Sequence, residues 1–312
     1  MAERCKFKTT VGGQAVMEGI MMRGPQKWCL SVRTPNGEIV TEEHENKKSS
    51  PLVKIPFVRG VVSFVSSLTM GYKTLMRSAE LSMTEEEQEA ELSNFDRWVE
   101  KKFGDKAMNV VMGISAFLGL VLAVVLFMFL PTFLVNLVNN HLIALGGFKA
   151  LLEGLFKIAL FVLYLAVVRN SKEIRRVFGY HGAEHKTIFC YEAGDELTVE
   201  NIRKHTRFHP RCGTSFLLIV LIISILLFSV IPWTGMALRV VLKILLLPVV
   251  MGASYEVIRL AGRYDNIVTR IVSAPGLWLQ RLTTCEPDDS MIEVAIAAVT
   301  PVLPQNPEEA KW

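Results

Sequence analysis

The sequence lacks charge over two long stretches. No Asp, Glu, Lys or Arg occurs in residues 107–148, and none in residues 212–238. A water-soluble domain spreads its charges more evenly, so this absence excludes an ordinary soluble fold for those parts. A bilayer core of about 30 Å takes roughly 20 apolar residues as a helix, because backbone groups in lipid must be paired within the segment. Cysteine is also scarce: Cys5, Cys29, Cys190, Cys212 and Cys285 show no framework spacing. That excludes a disulfide scaffold and suits a reducing compartment. A net charge of +4 over 312 residues gives no reason to expect a specific nucleic-acid partner. The first apolar run starts about a hundred residues in, and no cleavable signal peptide is expected at the start.

What is present is four apolar segments. Residues 108–130 are a strong helix candidate, ended by Pro131, and residues 132–147 read as an interfacial turn or a short re-entrant piece. Residues 151–168 form a second candidate, interrupted by Glu153 and Lys157; residues 214–233 a third; residues 240–257 a fourth, interrupted by Lys243 and Glu256. Charge placement decides between two spans and four. Two spans would put Arg169, Lys172, Arg175, Arg176, Lys186, Arg203, Lys204, Arg207 and Arg211 outside, against the positive-inside tendency. Four spans make those nine residues cytoplasmic, together with both termini, and leave only Lys149 in the external loops.

With four spans, Glu153, Lys157, Arg239 and Lys243 share the outer leaflet. Two readings apply: snorkelling with one intrahelical pair, or a polar cluster between helices.

The expected fold is therefore a mostly α membrane protein, a four-helix transmembrane bundle with a small α+β cytoplasmic assembly. The pieces are an N-terminal region (1–80), an acidic linker and amphipathic lead-in (81–106), two spans (107–169), a His/Cys-rich cytoplasmic loop (170–212), two further spans (213–258) and a cytoplasmic tail (259–312). In the first piece, residues 10–25 (TVGGQAVMEGIMMRGP) are rich in Gly and Met without a clean period. Residues 27–43 read as a hairpin around Pro35-Asn36-Gly37. Residues 57–76 read as an interfacial or packed helix, too short in its uncharged part to span. In the tail, Asp288-Asp289-Ser290 caps a helix to about Val299, stopped by Pro301.

Chemistry concentrates in residues 170–212. Four of the six histidines lie there, two of them in His181-Gly182-Ala183-Glu184-His185. On a helix, residues four apart share a face, so His181 and His185 can aim at one point with Glu184 beside it. The spacing His-x-x-Glu-His is the inverted zincin arrangement: two neutral imidazoles hold zinc and the carboxylate serves as base towards water. The third ligand stays open among His209, Cys212 and Glu256. The cofactor expected is a divalent metal, zinc foremost. The competing reading is a structural metal site, or histidines that contact headgroups or form a polar core.

The stretches GGQAVMEGIMMRGP (12–25), HGAEHKTIFCYE (181–192) and HPRCGTSF (209–216) resemble those of the YqhQ-like bacterial membrane proteins, over nearly the whole chain. The resemblance implies a bacterial plasma-membrane protein of several spans. The family is a domain of unknown function often labelled a predicted metal-dependent enzyme, a label resting on the same His and Glu residues. No large protease domain accompanies the motif, which counts against a peptidase. Two functions follow as expectations. One is a metal-dependent hydrolase at the cytoplasmic membrane surface, and the other a non-enzymatic accessory or scaffold protein of a secretion or envelope complex. The expected partners are the lipid bilayer and a membrane-protein complex, with oligomerisation open.

Overall fold

The computed structural model describes residues 7–46, 51–84, 107–230, 235–264, 266–304 and 306–310. Cys5, the acidic run at 85–91, the lead-in at 95–106 and the end of the third apolar run lie outside them. The chain divides into two compact units, residues 1–83, 165–220 and 251–312 in one, and residues 84–164 and 221–250 in the other.

The first unit is built on an antiparallel meander: β1 (Gly12–Val16), β2 (Gly19–Arg23), β3 (Lys27–Arg33) and β4 (Ile39–Glu45), in that spatial order. The expected hairpin is β3–β4, with Arg33 opposite Ile39 and Gly37 at φ 86°. The Gly- and Met-rich piece, which shows no period in sequence, is a second hairpin, with Val16 opposite Gly19.

Its pattern is hidden because β2 is apolar on both faces. Ile20 and Met22 join Cys29 in a core with Tyr180, Ile188, Ile292 and Val299, whereas Met21 joins Leu30 and Val32 on the other face. Side chains alternate along a strand, so a strand covered on both sides reads as a continuous apolar run. The first face is covered by α5 (Lys172–Ala193) and α10 (Asp289–Val299). The second is packed by Met70 and Leu81 of α1 (Val58–Ser82). The α+β part is thus a three-layer sandwich.

Residues 170–212, expected as a loop, are mainly helical. α5 runs unbroken for 22 residues and stops at Gly194, which adopts a left-handed C-cap at φ 69°. A short α6 (Val199–Lys204) follows. Asp288 caps α10 as expected, accepting a bond from the Met291 N–H at 3.0 Å.

The apolar helices are α2 (Ala107–Val124), α3 (Leu130–His141), α4 (Lys149–Val168), α7 (Gly213–Ser229) and α8 (Met236–Arg263), with α9 (Ile267–Thr283) following. Three continuous stretches, Gly113–His141, Gly146–Val168 and Ala237–Ala261, are long and apolar enough to cross a membrane; Gly213–Ser229 is apolar but shorter. Pro131 does not end the first of them. A π-helical turn, Val125–Phe129, precedes it, and the chain continues as helix to His141. Proline removes one backbone donor and crowds the carbonyl four residues back; a π turn absorbs the crowding. Thr132 Oγ1 lies 2.8 Å from the Met128 carbonyl, one turn back along the same helix.

The second unit has the polarity of a membrane protein rather than of a soluble core. Phe117, Leu120 and Leu163 are about three-fifths exposed, while Glu153, Arg239 and Lys243 are buried. Glu153 accepts bonds from Arg239, is in contact with Lys243 Nζ, and bonds Thr132 at 3.1 Å. Of the two readings of these charges, the cluster between helices is the one the structure forms.

A candidate metal centre

The first turn of the site comes from α5. His181 and His185 lie one turn apart, with ring centroids 4.4 Å from each other. Gly182, between them, lets the helix press against the α9–α10 connection: a Cβ there would sit 2.1 Å from the Cys285 carbonyl oxygen. The Cys285 N–H also donates to the Phe178 carbonyl at 2.8 Å. The glycine of the motif is therefore a close-approach residue, and any side chain would push α5 off its neighbour.

The second part is the turn before α7. Cys212 sits at the mouth of that helix, where the Thr214 N–H reaches its Sγ at 3.4 Å. Its Sγ lies 3.2 Å from His181 Nε2. The Gln280 side chain of α9 holds this turn from both sides, accepting from the His209 N–H at 2.7 Å and donating to the His209 carbonyl at 2.7 Å.

Both α5 histidines are oriented from behind. His181 Nδ1 lies 2.9 Å from the Thr283 carbonyl and His185 Nδ1 lies 2.5 Å from the Arg207 carbonyl. A carbonyl only accepts, so each Nδ1 carries a proton, and on a neutral ring the lone pair is left on Nε2. His185 Nε2 is buried without any hydrogen-bond partner, and so is Glu184 Oε2. The remaining Glu184 oxygen accepts from the Gly13 N–H of β1 at 3.1 Å. Ligand atoms of His181, His185 and Cys212 all lie within 4.8 Å of one another. Two imidazoles and a sulfur converging this way, with each imidazole anchored through its far nitrogen, could hold a metal ion. In a tetrahedral zinc site a nitrogen and a sulfur ligand stand about 3.5 Å apart, close to the His181–Cys212 separation.

The electrostatics agree with that geometry. Burial works against a charged Cys212, but His185 and His181 outweigh it and hold the thiol well below its ordinary range. Burial likewise opposes protonated His181, and the Cys212 thiolate lifts it to about 9. Glu184 is pushed up by burial, an effect that His181 and His185 only partly offset. The proton between His181 Nε2 and Cys212 Sγ, 3.2 Å apart, is the one that a divalent ion would displace.

The expected ligands thus separate. His181, His185 and Cys212 come together. His209 stands beside them, its ring 5.5 Å from that of His185, but its nitrogens face other groups. Nε2 lies 3.9 Å from Glu192 and Nδ1 lies 3.4 Å from the Arg211 N–H. Burial holds His209 down to about 4, so it stays neutral. Glu256 lies with Arg59, which donates through Nε at 2.7 Å, and with the Phe57 N–H at 3.2 Å, and so it stands outside the cluster.

Sequence reasoning missed Glu192, which is fully buried, paired with Arg211, and bonded by the Thr9 N–H at 2.7 Å. Burial opposes its charge, yet His209 and Arg211 bring it down to about 2. A Glu inside the run FCYE and an Arg inside HPRCG were the available signals. Thr9, Gly13, Glu184, His185, Arg211 and Cys212 help to line a pocket of about 110 Å³, which His181 does not line.

His181, Glu184, His185 and Cys212 lie within a region that matches a family. Residues 55–305 match the model of DUF1385, a protein family of unknown function. A protein of Bacillus subtilis (strain 168) named "Uncharacterized protein YqhQ" is 34% identical over 303 residues, covering 96% of this chain and 93% of that one. The chain belongs to the DUF1385 family of YqhQ-like proteins. No solved structure matches it.

Proposed function

We propose that this protein is a multi-pass protein of the bacterial plasma membrane that carries a zinc-dependent hydrolytic site on its cytoplasmic side. The observation that carries the reading is the buried, unpartnered Nε2 of His185, aimed with His181 Nε2 and Cys212 Sγ at one point. A buried polar atom left without a partner is costly, and a bound cation removes that cost. Two imidazoles and a thiolate suit zinc above harder ions.

A zinc ion held by these three residues supplies Lewis acidity toward a carbonyl or phosphoryl oxygen. Glu184 Oε2 is free to take a proton from an attacking water, and the Gly13 N–H holds the carboxylate in place through its other oxygen. The same carboxyl then returns the proton to the leaving group, so the net change is addition of water across the bond. Glu184 also lines a pocket of about 110 Å³, the space beside it in which a substrate group would sit. Substrates within reach of a cytoplasmic membrane surface are lipid headgroups, isoprenoid phosphates and segments of membrane proteins.

The membrane part of the proposal is a four-span bundle. The three long apolar stretches and Gly213–Ser229 supply the spans, and the basic residues from Arg169 to Arg211 keep the segment between the second and third spans inside. Both termini then face the cytoplasm.

The test joins metal analysis to a single substitution. The purified protein is expected to hold one zinc per chain, and Glu184→Gln is expected to keep the zinc and abolish cellular function. Full cellular function in a zinc-replete Glu184→Gln variant would sink the hydrolase and leave the accessory or scaffold role.

A further inference from the structure

Helices that cross a membrane rarely bury charge, and those that do balance it. In the second unit the balance is broken. Lys157, Arg239 and Lys243 are at most 6% exposed, and within the described residues the only carboxylate among them is Glu153.

Glu153 is already saturated. One oxygen takes Lys243 and Thr132, and the other takes Arg239 at 3.3 Å. Thr132 in turn accepts from Lys243 Nζ at 2.8 Å. Arg239 additionally donates to the Phe228 carbonyl at 3.2 Å. Lys157 receives no carboxylate or hydroxyl: its Nζ lies 5.3 Å from the centre of the Phe228 ring. A cation over an aromatic face gains something, but far less than an ion pair in a low-dielectric interior. The cluster therefore holds one negative and three positive side chains.

The same place contains a small void. Glu153, Lys157, Phe228, Ile225 and Arg239 line about 10 Å³ of free space. That is the room of about one water-sized sphere. Gly154 brings α4 against Ile225 here: a Cβ would meet Ile225 at 2.7 Å. The walls are close, and nothing as large as a phosphate group could enter without separating the helices. A halide is only slightly larger than water, and the flexible stem of Lys157 can take up the difference.

We propose that this void is a binding site for a single small inorganic anion of chloride size, held by Lys157 and Arg239 within the helices of the second unit. The anion would supply the second negative charge that the cluster lacks, with Phe228 and Ile225 among the walls of the void. The site is distinct from the His–His–Cys cluster and does not depend on what that cluster binds.

The test uses the full chain in detergent. Its thermal midpoint is followed while sodium gluconate is replaced by sodium chloride or bromide at constant ionic strength. The expected result is a saturable rise of about 5 °C in either halide. Equilibrium dialysis with radioactive chloride should give about one ion per chain. In Lys157→Met, which keeps the length and removes the charge, the halide effect is expected to vanish. Dialysis on the unmodified protein decides the matter if that variant fails to fold. Equal midpoints in chloride, bromide and gluconate, with no chloride retained, would overturn the site and leave Lys157 uncharged in the native state.

Discussion

The Nε2 atom of His181 lies 3.2 Å from the Sγ atom of Cys212, although 31 positions separate them in the chain. The contact depends on two elements with different local logic. α5 presents the imidazole because its glycine lets it lie close to the α9–α10 connection. The turn before α7 presents the sulfur because Gln280 clamps the backbone of His209. Each support can be removed without touching a ligand atom.

Removing the clamp should loosen the metal before it harms the fold. Gln280→Leu deletes both amide bonds to His209 while filling much the same volume. Supporting-shell changes of this kind cost about 10–100-fold in metal affinity. Competition with a chromogenic chelator should show that loss for Gln280→Leu, with secondary structure by circular dichroism unchanged.

Gly182→Val should act differently. Its side chain must displace the Cys285 carbonyl, and overpacking of this kind costs about 1–3 kcal/mol. A lowered thermal midpoint is expected together with weaker metal binding. Unchanged stability would show that α5 does not need the close approach.

The membrane cluster predicts an asymmetric response to charge removal. Glu153→Gln leaves Arg239 and Lys243 buried without their counter-ion, and breaking a buried pair in this way costs about 3–5 kcal/mol. Poor membrane accumulation of Glu153→Gln is expected, with partial recovery when Lys243→Met is added. Two variants no worse together than alone, by in-gel fluorescence of a fused reporter, is the outcome expected of a coupled pair.

Much of this was legible in the sequence, and the gaps have physical reasons. The β3–β4 hairpin, the Asp288 cap and the apolar segments each carry a local signal: a turn sequence, a capping side chain, an absence of charge. The β1–β2 hairpin was not legible because both faces of β2 are covered, which erases alternation. Pro131 misled because the consequence of a proline depends on whether the helix can absorb it, as the π turn at Val125–Phe129 does here. His181 and His185 were legible because i, i+4 spacing is a property of a single helix. That Cys212 comes together with them, while His209 and Glu256 pair elsewhere, was not, since it depends on Glu192 and Arg59, which reach those residues only through the fold.

The central claim concerns three atoms, and one spectrum tests it. X-ray absorption at the zinc edge on the purified, full-length protein should show about two nitrogens near 2.0–2.1 Å and one sulfur near 2.3 Å. Cys212→Ser should lose the sulfur and His185→Ala should lose a nitrogen and most of the zinc. A protein purified with zinc available that holds none, or whose zinc shell is the same with Cys212 and His185 replaced, would contradict the account.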